Sequence, residues 1–496
     1  MSKIKQIVIV GGGTAGWMAA AALSKTFGRN IEITLIESDA IATVGVGEAT
    51  IPAIKNFHLL LELDEAEFMR AVHGTFKLGI EFENWGNLGE HYFHPFGPPG
   101  VDAWAAQFHH YWLKTRQQGV HSRLGDFSLE TSMARAEKFA IKTDPAANYA
   151  YHFDAGLYAQ FLRQFSEKLG VDRTEGKVVK VNSNPESGFI ESVTLESGQS
   201  INGQLFIDCS GFRGLLIEQE LKTGWEDWSH WLRCDSAAAV QTETVSAASP
   251  YTRSTARSCG WQWKIPLQHR VGNGLVYSSK YMSDEEAKKM LLDNIDGKPL
   301  ADVRTLKFRT GRRLKQWNKN CIALGLASGF MEPLESTSIH LIQNSIIRLI
   351  KLFPVNEIIQ SEVDQFNHDV KIENEYIRDF IILHYHATQR GDTPFWTDCR
   401  DMEIPETLAH KMRLFKANGR VFREQNELFA ERSWAAVMLG QGLIPDGYHP
   451  FVDNLSDQEL NDFMAQIRAS VMKIVGQLPT HHEFVDQYCK APGLRS

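Results

Sequence analysis

The chain of 496 residues lacks the features that mark several large classes of protein. Its six cysteines are scattered and form no C-x-x-C pair, which argues against a disulfide framework or a zinc site and favours reduced thiols. No apolar run is long enough to cross a membrane, and the apolar segment near the N-terminus is too short for a signal-peptide core. A net charge of −8 argues against nucleic acid or an anionic membrane as a partner. We therefore expect a soluble, cytoplasmic protein without a metal site.

What the chain does have is a glycine-rich turn in the setting of a dinucleotide-binding fold. A β-branched run at 4–10 is followed at once by G-G-G-T-A-G (11–16), an Ala-rich helical segment and a second predicted strand. The first two glycines of the G-x-G-x-x-G pattern permit a tight turn and a close approach to a pyrophosphate, which the helix amides would bind. A purely structural turn is the alternative. The candidate cofactor residues here are Gly11, Gly13, Thr14, Ala15 and Gly16.

Later strands of the nucleotide domain also end at polar or glycine-rich turns. Glu37 ends the second strand and is placed to accept a hydrogen bond from a ribose hydroxyl, which favours FAD or NAD over NADP. Asp208 opens a second turn, D-C-S-G-F-R-G, of a kind typical of FAD enzymes. Only one complete dinucleotide fingerprint is present, so we predict a flavoprotein that does not bind NAD(P)H stably.

A strand with two tryptophans is predicted at G-W-Q-W-K-I-P (260–266). Side chains alternate along a strand, so Trp261, Trp263 and Ile265 share one face, and Pro266 ends the run because it has no N–H to donate. Further upstream, residues 82–112 interleave aromatics with histidines and a G-P-P-G turn. This composition suits a pocket wall for a flat ligand or a loop folded over its own hydrophobic cluster.

Together these segments resemble the flavin-dependent tryptophan halogenase family. The matching motifs are GGGTAGWMA (11–19), GVGEATIP (45–52), TFKLGIEFENW (75–85), GWQWKIP (260–266) and GLASGFMEPLESTSIHLI (325–342). They keep the family's order over about two-thirds of the chain, and G-W-x-W-x-I-P is specific to halogenases of this type.

The resemblance implies a fold of the α/β class. It predicts an FAD-binding, Rossmann-like domain of the flavin monooxygenase type at 1–350, which includes an inserted, substrate-facing sheet at about 225–310. A mainly helical substrate-side domain is expected at 351–496. A homodimer is a further possibility that the family raises.

The family also implies a reaction. A separate NAD(P)H-dependent flavin reductase supplies FADH2, which reacts with O2 to give a flavin C4a-hydroperoxide. Chloride or bromide is oxidised to hypohalous acid, which passes through an internal tunnel to an active-site lysine. Electrophilic substitution of a small aromatic substrate follows.

The family lysine corresponds to Lys77, which stands in a mostly apolar segment where desolvation favours the neutral, nucleophilic amine. The family glutamate corresponds to Glu335, and the halide would lie against the backbone of Thr337 and Ser338. Ser338 replaces a common glycine, so the preference between chloride and bromide stays open. Without the resemblance, Lys77 would be read as reaching to the surface, and Glu335 as part of a helix cap.

Other residues acquire roles only through the resemblance. Val46, in a strap at 43–51 that links flavin and substrate, is assigned to the cofactor, and Pro52 to the substrate. Trp261 and Trp263 are expected to form a wall that keeps the arene from the flavin. The resemblance also assigns Gly325 and Leu334 to the cofactor site. It assigns His94 and Phe96 to stacking on the substrate ring.

One departure from the family bears on the substrate. Where tryptophan halogenases carry a Tyr-Tyr pair followed by polar groups that bind the amino acid, this chain has Trp434-Ala435. A site for a zwitterion needs polar partners, so we expect indole or another electron-rich aromatic rather than free tryptophan. The alternatives are a flavin-dependent aromatic hydroxylase, which would not need Lys77, and a non-catalytic FAD-binding protein.

Overall fold

A computed structural model describes residues 4–40 and 47–493. Its strands are β1 Gln6–Val10, β2 Glu32–Glu37, β3 Glu48–Ala49, β4 Thr75–Lys77, β5 Gly79–Glu83, β6 His91–Pro95, β7 Ala150–Phe153, β8 Asp172–Glu175, β9 Val178–Ser183, β10 Ile190–Leu195, β11 Ser200–Asn202, β12 Leu205–Asp208, β13 Trp225–Asp227, β14 Ser236–Thr242, β15 Thr252–Arg257, β16 Gly260–Pro266, β17 Val271–Tyr277, β18 Arg304–Lys307, β19 Gly311–Arg313, β20 Trp317–Asn318, β21 Cys321–Ala323 and β22 Gly329–Phe330.

The α-helices are α1 Thr14–Phe27, α2 Ile54–Leu61, α3 Glu65–Ala71, α4 Phe108–Gln117, α5 Leu129–Arg135, α6 Ala155–Lys168, α7 Asp284–Leu292, α8 Ser338–Lys351, α9 Gln360–His386, α10 Pro394–Arg400, α11 Glu406–Asn418, α12 Glu431–Gly440, α13 Asp457–Gly476 and α14 His481–Tyr488. None of the helices that the structure describes has both the length and the apolar composition needed to cross a bilayer.

The chain folds into two compact units, each assembled from three stretches of sequence. The first unit comprises residues 1–74, 153–230 and 308–374, and the second comprises 75–152, 231–307 and 375–496. This division differs from the predicted boundary at 350. The reason is visible in the second unit, where β5 pairs in parallel with β15 and so ties residues 79–83 to the sheet expected at about 225–310.

The first unit is built on a six-stranded sheet with the order β20-β21-β12-β1-β2-β8. Strands β1, β2, β8, β12 and β21 run parallel, with β12 and β2 on either side of β1. Their β-branched and aliphatic side chains are buried, as expected of a parallel sheet covered on both faces. The carboxyl end of β1 is therefore the topological switch point, where open α/β sheets bind ligands.

Helix α1 carries almost no polar surface over its first three turns. Trp17 to Leu23 are all at most 1% exposed, so the helix is enclosed on every side rather than amphipathic. The run of alanines keeps its radius small, and α6 and α8 pack against it. This close packing holds the N-terminus of α1 at the end of β1.

The second unit is built on a seven-stranded sheet with the order β18-β14-β17-β16-β15-β5-β6. The two-tryptophan strand is β16, and its bounds agree with the prediction at both ends. Trp261 and Trp263 are buried, with ring centroids 6.0 Å apart, and Pro266 is the last residue of the strand. Helices α9 to α14 follow in the C-terminal part, so the predicted α/β class with a mainly helical C-terminal region is confirmed.

Gly260 begins β16 in a conformation that other residues rarely adopt. Its φ is +148°, and a Cβ at this position would lie 2.0 Å from the carbonyl oxygen of Val276 on β17. We expect Gly260→Ala to lower the free energy of unfolding by about 2–4 kcal/mol, because strain and a backbone clash add. Urea denaturation of the full chain, followed by tryptophan fluorescence, measures this.

Gly476→Ala is the matched control. Gly476 lies at the end of α13 with open space around the added methyl group, so its replacement should leave stability unchanged or raise it by up to about 1 kcal/mol. Equal effects of the two substitutions would contradict the role assigned to Gly260.

Candidate functional site

The glycine turn after β1 is formed by backbone groups in close contact. A Cβ on Gly11 would lie 2.2 Å from the carbonyl oxygen of Cys209, and one on Gly16 would lie 1.9 Å from that of Gly11. A Cβ on Gly13, in contrast, would meet nothing within 4 Å. The turn therefore needs glycine for packing at two positions, and at the third it leaves open space in front of α1.

The first amides of α1 face that open space. Gly13 is the N-cap residue and provides no side-chain cap, and the N–H groups of Thr14, Ala15 and Gly16 find no acceptor within the described ranges. Unpaired amides at a helix N-terminus, with the positive end of the helix dipole, are a site for phosphate. These groups fit the pyrophosphate of FAD.

Glu37 lies beside the glycine turn, at the end of β2. A Cβ on Gly12 would meet its carboxylate, so the acid lies directly against the turn. Its Oε1 accepts from Arg173 Nε at 2.5 Å and its Oε2 from Trp17 Nε1 at 3.3 Å. The arginine on β8 fixes the orientation of the carboxylate, which sequence alone did not reveal because the two residues are 136 positions apart.

Asp208, at the end of β12, accepts hydrogen bonds from nearby backbone N–H groups. Its buried carboxylate accepts from the N–H groups of Ser210, Leu216 and Ile217 at 2.8–3.0 Å. The aspartate thus shapes the second turn and the start of the π-helical segment Leu215–Glu220. Any contribution it makes to the cofactor acts through that turn.

A third turn, in the segment 325–338, lies next to the glycine turn that follows β1. Gly325 has a φ of +61°, and a Cβ there would lie 2.9 Å from the Cβ of Ala15. Leu334 and Glu335 are each 1% exposed. The cofactor residues predicted from separate motifs, from Gly11 to Gly325, therefore come together in the first unit.

Helix α8 begins at Ser338, three residues after Glu335, and its first turn has no side-chain cap. Thr337 is the N-cap residue, but its hydroxyl accepts no hydrogen bond from the helix. Within the described part of the chain, the N–H groups of Ser338, Ile339 and His340 have no acceptor. Unpaired amides and a buried N-terminus suit a small anion such as a halide.

Two other predicted residues lie in or next to the strap. Val46 lies outside the described residues. Pro52, which was assigned to the substrate, is half-buried in the first unit, just before α2.

Lys77 lies in the interior of the second unit, at the end of the short strand β4. It is fully buried, and its Nζ lies 5.3 Å from the centroid of the Phe96 ring. The prediction that this lysine occupies an apolar setting is therefore confirmed, and the alternative of a lysine that reaches the surface is wrong. A buried ammonium is costly, whereas a neutral amine beside an aromatic ring is not.

A relay of hydrogen bonds fixes His152, which lies opposite Thr75 on the neighbouring strand β7. Thr75 Oγ1 donates to the carbonyl oxygen of Pro266 at 2.7 Å, so it accepts from His152 Nδ1 at 3.1 Å. His152 Nε2 is then the acceptor for the Thr252 hydroxyl at 2.8 Å. Burial holds the pKa of His152 well below its usual value, and nearby Lys77 lowers it further whenever its amine is protonated. The imidazole next to Lys77 is neutral.

The aromatic residues predicted to hold the substrate form part of a larger apolar wall. His94 is buried against the rings of Phe380 and Phe429, which stack on each other with centroids 3.8 Å apart. Trp434 meets Phe380 edge to face at 4.8 Å, and its Nε1 has no partner among the described residues. Lys411 lies 4.5 Å above the Trp434 ring and is paired with the buried Glu427 at 2.9 Å.

Metal chemistry finds no support in this part of the molecule. Within residues 4–40 and 47–493, no three His, Cys, Asp or Glu side chains are grouped so that they could hold a metal ion.

Comparison with known proteins identifies the family to which these features belong. A model of the tryptophan halogenase family matches residues 6–457. The chain belongs to the tryptophan halogenase family. Among its relatives are the tryptophan 6-halogenase SttH of Streptomyces toxytricini, 36% identical over 97% of both chains, and the tryptophan 7-halogenase RebH of Lentzea aerocolonigenes, 33% identical over 98% of this chain and 99% of the other.

Solved structures of flavin-dependent halogenases are also similar to this chain. Xcc4156, a flavin-dependent halogenase from Xanthomonas campestris, is 53% identical with a TM-score of 0.98, over 99% of this chain and 100% of the other. BrvH, from Brevundimonas sp. BAL3, is 46% identical with a TM-score of 0.94, over 98% and 99% of the two chains. This tryptophan halogenase family member is therefore a flavin-dependent halogenase, an oxidoreductase whose family uses FAD, O2 and a halide and acts on aromatics.

Sequence reasoning missed three contributors to these sites. Arg173 orients Glu37, His152 supports the strand that carries Lys77, and the Phe380–Phe429 stack forms the wall beside His94. The only available signal was the alternating Tyr151-His152-Phe153 segment, which predicts a strand but not its partner.

His152 should make stability depend on pH. Because its folded-state pKa is depressed, the unfolded chain takes up a proton below pH ~6.5 that the folded chain does not. This group therefore removes about 1.4 kcal/mol of stability per pH unit as the pH falls below 6.5.

His152→Gln cannot titrate there, so the stability of the wild type relative to the variant should decline by about 1 kcal/mol between pH 6.5 and 5.5, where the unfolded imidazole is already half protonated at the start. At pH 8, where both side chains are neutral, the variant should be less stable by about 1–3 kcal/mol, because the relay is remade imperfectly. Urea unfolding at the three pH values measures both effects. If the free energies of unfolding of the wild type and the variant change with pH in parallel, His152 is not held neutral.

Proposed function

We propose that this enzyme halogenates an electron-rich arene without an amino-acid backbone, with indole as the simplest example, and that Lys77 delivers the halogen. The observation that carries the proposal is the buried Lys77 amine beside Phe96, in a unit whose neighbouring wall of Phe380, Phe429 and Trp434 is apolar. The roles of the cofactor, halide and catalytic residues are each assigned from the residues of a single unit.

The first unit would hold FAD and the halide. The open space before α1, the amides of its first turn and Glu37 against the glycine turn suit the pyrophosphate and ribose of FAD. When bound and reduced, the cofactor supplies two electrons to O2, so that halide, arene, a proton, O2 and FADH2 give haloarene, FAD and two waters. A separate reductase would supply FADH2, since only one dinucleotide fingerprint is present.

The halide would bind at the N-terminus of α8. Thr337 and Ser338 place unpaired backbone N–H groups there, and these donors stabilise a small anion without a counter-cation. The Ser338 hydroxyl adds a further donor where the family commonly has glycine.

Lys77 would hold the electrophilic halogen and present it to the arene. A neutral amine can do this through a hydrogen bond to hypohalous acid or through a transient N–halogen bond, and a buried setting keeps water from competing. The neutral His152 supports this role, since it adds no charge beside the amine that would draw water into the site. Glu335, a buried carboxylate of the first unit, is the second residue that we propose for catalysis, where a carboxylate can act as a proton acceptor.

The groups around Trp434 argue against a zwitterionic substrate. The nearest cation, Lys411, is already neutralised by the buried Glu427, so it offers no free charge to a carboxylate. The Trp434 ring itself offers one N–H donor to a ligand. An uncharged indole is therefore the better match to this wall.

Replacement of either proposed catalytic residue should stop halogenation. In an assay with a flavin reductase, FAD, NADH, indole and bromide or chloride, followed by mass spectrometry, Lys77→Met and Glu335→Gln should each lower product formation by at least about 100-fold. FAD binding should be nearly unchanged in both variants, because neither side chain lies in the glycine turn.

Lys114→Met provides a matched control. Lys114 is another buried lysine of the second unit, held by the carbonyl oxygens of Val452 and Leu455, and its loss should cost stability but not the ability to halogenate. Full activity of Lys77→Met would refute its role. A hydroxylated product formed without halide would instead favour an aromatic hydroxylase.

The substrate preference is tested by comparing indole with L-tryptophan. We expect kcat/KM for indole to exceed that for L-tryptophan by about 100-fold, because the ammonium and carboxylate of the amino acid would be desolvated without partners. The two substrates are compared under the same halide and reductase. A preference for tryptophan would show that polar groups elsewhere bind its backbone.

A further inference from the structure

The second unit contains a cleft whose rim is cationic, in a chain that is acidic overall. Its volume is about 560 Å³, and it is bounded by β6, α12 and the segment from α4 to α5. Four arginines line it: Arg116, Arg123, Arg135 and Arg432. The segment at 82–112, whose aromatics suggested a pocket wall for a flat ligand, contributes Phe93 and Trp112 to its lining.

The acids near the cleft do not neutralise this charge. Arg135 forms an ion pair with Asp126 at 2.8 Å, whereas the Arg123 side chain donates to His91 Nε2 at 3.1 Å, an acceptor that carries no negative charge. Arg116 lies 5.6 Å from the centroid of the Trp112 ring. Within the part of the chain that the structure describes, Arg116 and Arg432 form no ion pair.

Three further carboxyls lie near the rim arginines. Burial raises the pKa of the first, Glu81, to about 7, and the nearby charges of Arg135 and Arg123 act against this rise. Glu90 lines the cleft and accepts from Asn87 at 3.1 Å. Glu130 is buried behind it, where it accepts from the backbone N–H of Asn148 at 2.8 Å, and burial raises the pKa of this carboxyl. The guanidinium groups on the rim therefore outnumber the exposed carboxylates, and the cleft as a whole favours an anion.

The cleft is separate from the wall that holds His94. Side chains alternate along β6, so His91, Phe93 and Pro95, which line the cleft, point away from His94, whereas Tyr92, on the same face as His94, also lines it. Helix α12 also contributes to both the arene wall and the cleft. Trp434 packs on Phe380 in the wall, whereas Ala436 and Leu439 line the cleft. One strand and one helix thus separate the proposed arene wall from a second, cationic site.

We propose that this arginine-rimmed cleft binds a small aromatic carboxylic acid. Its apolar lining, which includes Phe93, Trp112 and Leu439, receives the ring. The rim guanidiniums receive the carboxylate, for which their planar, two-donor geometry is suited. The inference depends only on the cleft, and it holds whether or not Lys77 carries the halogenation chemistry.

Binding of indole-3-acetate tests the proposal, with the uncharged indole-3-ethanol as its counterpart. Calorimetric titration of the full-length chain at low salt should give a Kd for the acid that is at least about tenfold lower than that for the alcohol. The affinity for the acid should weaken as the salt concentration rises, because the rim charges are exposed to solvent.

Substitutions locate the site. The double variant Arg116→Gln/Arg432→Gln should weaken binding of indole-3-acetate by about tenfold or more and leave binding of the alcohol unchanged. Arg304→Gln, on the exposed strand β18 outside the cleft, should change neither. Equal affinities for acid and alcohol, or an acid affinity that the double variant retains, would overturn the proposal. Because no turnover is measured, these outcomes do not depend on the halogenation assay.

Discussion

Contact of backbone on backbone at the carboxyl end of β1 is the constraint on which the first unit depends. Gly11 lies against the carbonyl oxygen of Cys209, Gly16 lies against that of Gly11, and Gly325 approaches Ala15. None of these approaches leaves room for a side chain. The turns after β1, β12 and β21 can therefore converge on one crevice, and the helix that starts there can keep its first amides for a ligand rather than for a cap.

In the second unit, a relay of hydrogen bonds fixes the strand that carries the buried amine of Lys77. The hydroxyl of Thr75 reaches the last residue of the two-tryptophan strand, and the imidazole of His152 joins that hydroxyl to Thr252. Each polar atom of this relay has a partner, so burial costs little. The strand β4 is thereby fixed in position, and Lys77 at its end is presented to an aromatic ring instead of water. The two tryptophans of β16 contribute shape to this unit and no titratable group.

Local patterns in the sequence predicted much of this arrangement, because the information they carry is local. The glycine turn, the acid at the end of β2 and the bounds of β16 depend on neighbours within a few residues. Contacts between distant segments were not predictable: the Arg173–Glu37 pair and the pairing of β4 with β7 follow from tertiary packing alone.

The order in which the two units use the chain has a consequence for folding during synthesis. Each unit takes three stretches in alternation, so the six-stranded sheet of the first unit receives its last strands, β20 and β21, only after residue 316, and the unit ends at residue 374. Its parallel sheet cannot be completed while the ribosome is still producing the N-terminal half. Strand edges and apolar faces are exposed in the meantime, which places the demand for chaperones on this sheet rather than on the helical C-terminal region.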